Sequence, residues 1–85
     1  MLTLLKHPGA EKALGNLPKK VRIAIERELD VLSACSHPMQ HRHVIKLGGG
    51  EDRYRLRVGN YRIKMRLRDD HTLLILEIEH RQSGY

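Results

Sequence analysis

The sequence predicts an α+β fold: an N-terminal strand and a helical hairpin packed on a small, mainly antiparallel, twisted sheet. Three observations lead there. The stretch from Arg53 to Arg68, RYRLRVGNYRIKMRLR, alternates basic and apolar residues on both sides of a Gly-Asn pair, as a two-residue β-hairpin with one buried face requires. Lys19 to Ala34 repeats its apolar residues at helical spacing. Leu73 to His80, LLILEIEH, is rich in strand-forming residues. With 85 residues, a single domain over 1–85 with a core of limited size is expected.

In chain order, Leu2 to Leu5 reads as a short edge strand, closed by His7-Pro8-Gly9. Ala10 to Asn16 is helical in propensity, with Ala10, Ala13, Leu14 and Leu17 on one side. Pro18 ends it, because the residue before a proline is pushed out of the helical region. The helix from Lys19 to Ala34 has a buried stripe of Val21, Ala24, Ile25, Glu28, Leu29 and Leu32, in which only Glu28 is polar. Ser36 to His43, SHPMQHRH, reads as a solvated connection. Its histidines, His37, His41 and His43, could ligate zinc, but the stretch itself holds no cysteine or carboxylate to complete a tetrahedral set. No metal site is assigned, and no cofactor is expected. Val44 to Leu47 reads as a short strand, followed by a glycine-rich stretch and then the hairpin.

The hairpin register follows from the turn. Pairing Val58 with Tyr61 sets Arg57 against Arg62, Leu56 against Ile63, Arg55 against Lys64 and Arg53 against Arg66. Apolar meets apolar and cation meets cation, and a slip of one residue would bury charge. If Arg68 pairs with Leu73, the last strand sets Glu77 against Lys64 and Glu79 against Arg62 on the basic face. Leu67, Met65 and Ile63 then meet Leu74, Leu76 and Ile78 on the apolar face, and Arg81 joins the basic one. Like charges placed opposite each other oppose folding. A face arranged so is suited to an anion.

Lys and Arg number 16 against 10 acidic residues, a net charge of +6, which favours a polyanionic partner. Cys35 is the only cysteine, so no internal disulfide can form and a reducing cytoplasm is the expected compartment. The apolar run in MLTLLKHPG is too short for a signal peptide, and no stretch approaches a membrane span. Tyr54 and Tyr61 alternate onto the apolar side as core.

The order of strand, helical hairpin and meander, with LPKKVRIAIERELDVL, IKLGG, YRLRVGNYRI and the closing HR and Tyr85, resembles the RelE/ParE superfamily of toxins from type II toxin–antitoxin systems. The resemblance covers almost the whole chain and implies the RelE-like microbial RNase fold. RelE-type members are ribosome-dependent mRNA interferases that cut mRNA in the A site. ParE-type members share the fold, lack the catalytic basic set and act on DNA gyrase. Carried over by position, the RelE-type pattern falls on Arg55, Arg57, Arg62 and Arg81, with a base-stacking tyrosine at Tyr85. RelE-type enzymes often have lysines where Arg55 and Arg57 stand, a glycine where Glu79 stands, and a basic residue where Gln82 stands.

The resemblance therefore implies an endoribonuclease working through metal-independent attack by the ribose 2′-OH, with mRNA, the 70S ribosome A site and a cognate antitoxin as partners. The antitoxin would cover the basic face with an acidic or amphipathic segment. Neither a membrane nor a small-molecule substrate is implied. The alternatives are a ParE-type gyrase inhibitor and a catalytically degenerate member that binds only antitoxin or RNA. Such cleavage needs a base for the 2′-OH, charge stabilisation at phosphorus and a proton for the leaving oxygen. Arg62 and Arg81 are placed for the second role, and Arg53, Arg55, Arg57, Arg66, Lys46 and Tyr85 for holding RNA. An arginine cannot serve as the base. Lys64 is the candidate, with Glu79, Glu77 and Lys46 behind it. The plainer role of Glu77 and Glu79 is to offset nearby cations and hold Arg62 in position.

Overall fold

The computed structural model describes residues 1–48 and 52–80. Among them, five strands build one sheet: β1 (Thr3–Lys6), β2 (Val44–Lys46), β3 (Arg53–Val58), β4 (Tyr61–Leu67) and β5 (Thr72–His80). Their order is β1-β5-β4-β3-β2, with β1 parallel to β5 and the other neighbours antiparallel. Two helices, α1 (Pro8–Gly15) and α2 (Lys19–Ala34), cover one face of this sheet. The expected α+β class, with helices between an edge strand and a meander, is what forms.

Local chemistry sets the helix ends. The His7 ring Nδ1 accepts the Gly9 N–H at 3.2 Å, and Pro8 occupies the first turn, where a missing donor costs nothing. As a result α1 starts two residues before the expected Ala10. It buries Ala10 and Leu14. Pro18 precedes α2 at the boundary expected for it, and Ile25, Leu29 and Leu32 are buried along its contact row. Ala24, expected in that row, is exposed. The row facing the sheet runs through Ile25, Leu29 and Leu32, and the flank bearing Ala24 turns to solvent.

Core and hairpin follow the alternation. Leu56, Ile63 and Met65 are fully buried and meet Ile25 and Leu32 from α2. Each such side chain contributes roughly 1.5–3 kcal/mol on burial. The pairing of β3 with β4 is the expected one at every rung. Gly59 has φ +58 while Asn60 does not have positive φ, which is the type II′ arrangement with glycine first.

The pairing of β4 with β5 departs from expectation halfway along. Arg62 with Glu79 and Lys64 with Glu77 hold, but a bulge between Lys64 and Met65 moves Met65 opposite Ile75 and Leu67 opposite Leu73. The inner residues of β5 are therefore Leu73, Ile75 and Ile78, not Leu74, Leu76 and Ile78. One extra residue in a strand inverts which side chains face inward beyond it. Leu73 and Ile75 are fully buried, and β1 runs alongside them. At the far end His80 packs edge-on against Tyr61, with ring centroids 4.7 Å apart. At the β4–β5 turn, the Asp69 carboxylate accepts the His71 N–H at 2.8 Å. That bond, with help from Thr72, holds the Asp69 carboxyl below its usual value. Its contribution is present above the ordinary carboxylate range and fades as pH falls through the lowered value.

The segment before β2 is not a solvated connection. It forms a 3₁₀ turn at Pro38–Gln40, with Pro38 buried and His41 only 4% exposed. The Gln40 side-chain oxygen accepts the Ser36 N–H at 2.7 Å, and the His37 Nδ1 accepts the Met39 N–H at 3.1 Å. His41 Nδ1 accepts the His43 N–H at 3.0 Å. The hydrogen of His41 therefore sits on Nε2, which donates to Glu28 Oε1 at 2.9 Å. Glu28, the polar intruder in the helix stripe, is there to hold a buried histidine. Folding supplies the carboxylate that is missing near these histidines in sequence.

Removing that acceptor with Glu28→Ala leaves a buried imidazole N–H without its bond, a loss of about 1–3 kcal/mol. Urea unfolding of the variant should show this fall; unchanged stability would mean that Glu28 does not hold His41.

Candidate functional site

The face of the sheet away from the helices is written by the hairpin. Its inner rungs are Tyr54 with Met65, Leu56 with Ile63 and Val58 with Tyr61; its outer rungs are Arg53 with Arg66, Arg55 with Lys64 and Arg57 with Arg62. All outer rungs pair cation with cation. β5 adds Glu77 opposite Lys64 and Glu79 opposite Arg62. The outer rungs thus set six cations beside two carboxylates. Neighbouring strands lie about 4.8 Å apart, well within the screening length of about 8 Å at physiological salt. The cations therefore act on a bound anion as one field.

Both carboxylates reach the same cation. Lys64 Nζ lies 3.3 Å from Glu79 Oε1 and 3.9 Å from Glu77 Oε2. Among the described residues both carboxylates pair with Lys64 rather than with Arg62, which corrects the expectation that they hold Arg62 and keeps their role of offsetting a neighbouring cation. Arg62 and Arg57 instead flank the turn. With Arg55, Gly59, Asn60 and Tyr61 they line a hollow of about 110 Å³. Planar guanidinium groups around such a hollow match the oxygens of a phosphate.

The other expected positions divide. Arg53 and Arg66 are exposed at the far rung of the basic face. Lys46 is not on this face: it pairs with Tyr54, a core residue, and so points to the opposite side at the sheet edge. Arg81 and Tyr85 lie outside the described residues. The three histidines do not come together as one ligand set. His37 packs edge-on against Tyr54 at 5.7 Å, His41 is bound to Glu28, and no cluster of three metal-binding side chains forms among the described residues.

Sequence reasoning missed one neighbour of the face. The Arg57 N–H donates to the His43 carbonyl at 3.1 Å, which continues the β2–β3 ladder one rung beyond Val44 and Leu56. The His43 backbone therefore stands opposite Arg57 at the sheet edge, where its ring lies beside His41 and borders a groove shared with Glu28, Arg57, Val58 and Gly59. No alternation marked it in the sequence, because His43, Val44, Ile45 and Lys46 read polar, apolar, apolar, polar. Three residues are too few to distinguish a strand from a loop.

A sequence profile of the ParE toxin of the parDE type II toxin–antitoxin system matches residues 4–85. The structure is similar to a chain of the RelB–RelE antitoxin–toxin complex from Methanococcus jannaschii, at 27% identity and a TM-score of 0.79, covering 95% of this chain and 94% of that one. It is also similar to a chain of the archaeal RelE–RelB complex from Pyrococcus horikoshii OT3, at 31% identity, a TM-score of 0.77 and 94% coverage of both chains. The isolated E. coli RelE toxin shares the fold at 18% identity and a TM-score of 0.79, over 94% of this chain and 84% of that one. No curated protein sequence matches the chain.

Cation opposite cation predicts a gain on charge reversal. Arg57→Glu, facing Arg62, should stabilise the fold by about 0.2–1 kcal/mol at low salt. Thermal melts should show the gain shrinking as salt is raised. A loss of stability at low salt would contradict the repulsive rung.

Proposed function

The chain belongs to the ParE toxin family of type II toxin–antitoxin systems, and with it to the RelE/ParE superfamily; from that premise we propose that it is a ribosome-dependent mRNA endonuclease. The observation that carries this reading is the sheet face, left uncovered among the described residues, whose outer rungs all pair cation with cation. Such a face opposes folding and gains its use when a polyanion lies across it. Its cations are mostly arginines, which suit phosphate held bidentately.

In this mechanism mRNA in the ribosomal A site lies over the hairpin. Arg55 and Arg57 hold the backbone, and Arg53 and Arg66 extend the contact. Arg62 and, by family resemblance, Arg81 stabilise the charge that develops on the phosphorane. Tyr85 would stack on a base, also by resemblance. The ribose 2′-OH attacks phosphorus, leaving a cyclic phosphate and a 5′-hydroxyl. Ribosomal alignment of the strand supplies much of the rate by fixing the attack geometry. A cognate antitoxin whose acidic or amphipathic segment covers the same face would compete with RNA for it. A ribosomal substrate places the protein in the cytoplasm.

One observation favours a second reading, a ParE-type gyrase inhibitor: the matching sequence profile is that of ParE. Inhibition of gyrase supercoiling without new mRNA ends would establish it.

Added to translating ribosomes, the protein should produce new mRNA 5′ ends in the A-site codon. Arg62→Ala should reduce the cleavage rate about 10²–10³-fold with its circular dichroism unchanged. Absence of new ends, or undiminished cutting by the variant, would overturn the endonuclease reading or the role of Arg62 respectively.

A further inference from the structure

Resting on the endonuclease reading, we infer that His43 is the general base that takes the proton from the attacking 2′-OH. The hairpin itself offers few candidates. Its arginines stay charged at any working pH, and Lys64, its one lysine, is engaged by Glu77 and Glu79. Tertiary structure brings in a different group. The ladder bond from the Arg57 N–H to the His43 carbonyl extends a transverse row across four strands: His43, Arg57, Arg62, Glu79. The His43 backbone stands one strand from Arg57 and two from Arg62, or about 5 and 10 Å across the sheet. The groove that His43 borders and the arginine-lined hollow share Arg57 and Gly59, so a phosphate held at the hollow leaves its ribose beside that groove.

The mount of this side chain is fixed while its ring stays available. The His43 N–H is bound to His41 Nδ1 at 3.0 Å, and its carbonyl accepts from Arg57 at 3.1 Å. His41 is in turn buried and held by Glu28. The His43 side chain is exposed, and among the described residues its ring packs beside His41, at 5.8 Å, without a hydrogen bond. It borders a groove of about 360 Å³ together with Glu28, Arg57, Val58 and Gly59, which runs on to the turn. The charged and titratable groups facing it are Glu28 from α2, His41 from the preceding turn and Arg57 from β3. An imidazole is the side chain that ordinarily exchanges its proton between about pH 5 and 8, which suits a base working at neutral pH.

The step balances without a cofactor. The neutral imidazole accepts the 2′-OH proton as the 2′-oxygen bonds to phosphorus. The bond from phosphorus to the 5′-oxygen breaks on the opposite side, and that oxygen takes a proton from solvent water. The imidazolium returns its proton to water, leaving a 2′,3′-cyclic phosphate and a 5′-hydroxyl. As a surface histidine of no further purpose, His43 would affect none of this.

The test is single-turnover cleavage of A-site mRNA by the wild type and by His43→Gln, across pH 5 to 8. The wild-type rate should rise with pH over the range in which an imidazole loses its proton. The variant should be about 10²–10⁴-fold slower at neutral pH and should lose that rise, with its thermal midpoint and ribosome binding unchanged. Equal rates and matching pH profiles in a wild type that cuts would overturn the assignment while leaving the endonuclease reading in place. A wild type that makes no cuts would overturn both.

Discussion

The structure depends on the register of β3 against β4. The inner rungs, Tyr54 with Met65, Leu56 with Ile63 and Val58 with Tyr61, can face the helices in only one alignment. That alignment forces every cation on the outer side to stand opposite another. Magnitudes decide the outcome. Burial of Leu56, Ile63 and Met65 contributes roughly 1.5–3 kcal/mol each, against at most about 1 kcal/mol of repulsion per outer rung. The core wins, and an uncomfortable basic face is carried along with it.

Such a face is a store of binding energy. Repulsion among its cations is relieved when an anion lies across them. The two carboxylates of β5 temper the field at Lys64 and leave the arginines around the turn to set the local potential. The bulge after Lys64 lets one strand serve both faces. Before it, Leu73 and Ile75 fill the core; beyond it, Glu77 and Glu79 line the basic side. Without the extra residue, one of these two sets would face the wrong way.

The buried pair of His41 and Glu28 links the two layers. It ties the turn before β2 to α2, and through the His43 N–H it fixes the first residue of the edge ladder. A short strand such as Val44–Lys46 has little pairing of its own to hold it. Its placement comes from this anchor and from the buried Pro38, Val44 and Tyr54 around it.

Alternation and turn chemistry alone determined the α+β class, the span of α2, the hairpin with its register, and the basic face with Arg55, Arg57, Arg62 and Lys64. These depend on neighbours a few residues apart, and periodicity carries that information. Other features required distant residues to meet. The parallel seat of β1 on β5 joins the two ends of the chain. The bulge in β5 is set by what packs beneath it, and the flank of α2 bearing Ala24 by what does not. His41 was a loop residue until Glu28 reached it from a helix thirteen residues away. Lys46 left the basic face, and His43 passed from a connection to the edge ladder, for the same reason. On an edge strand of three residues, the side that each residue faces is decided by the ladder it joins, and only the folded sheet defines that ladder.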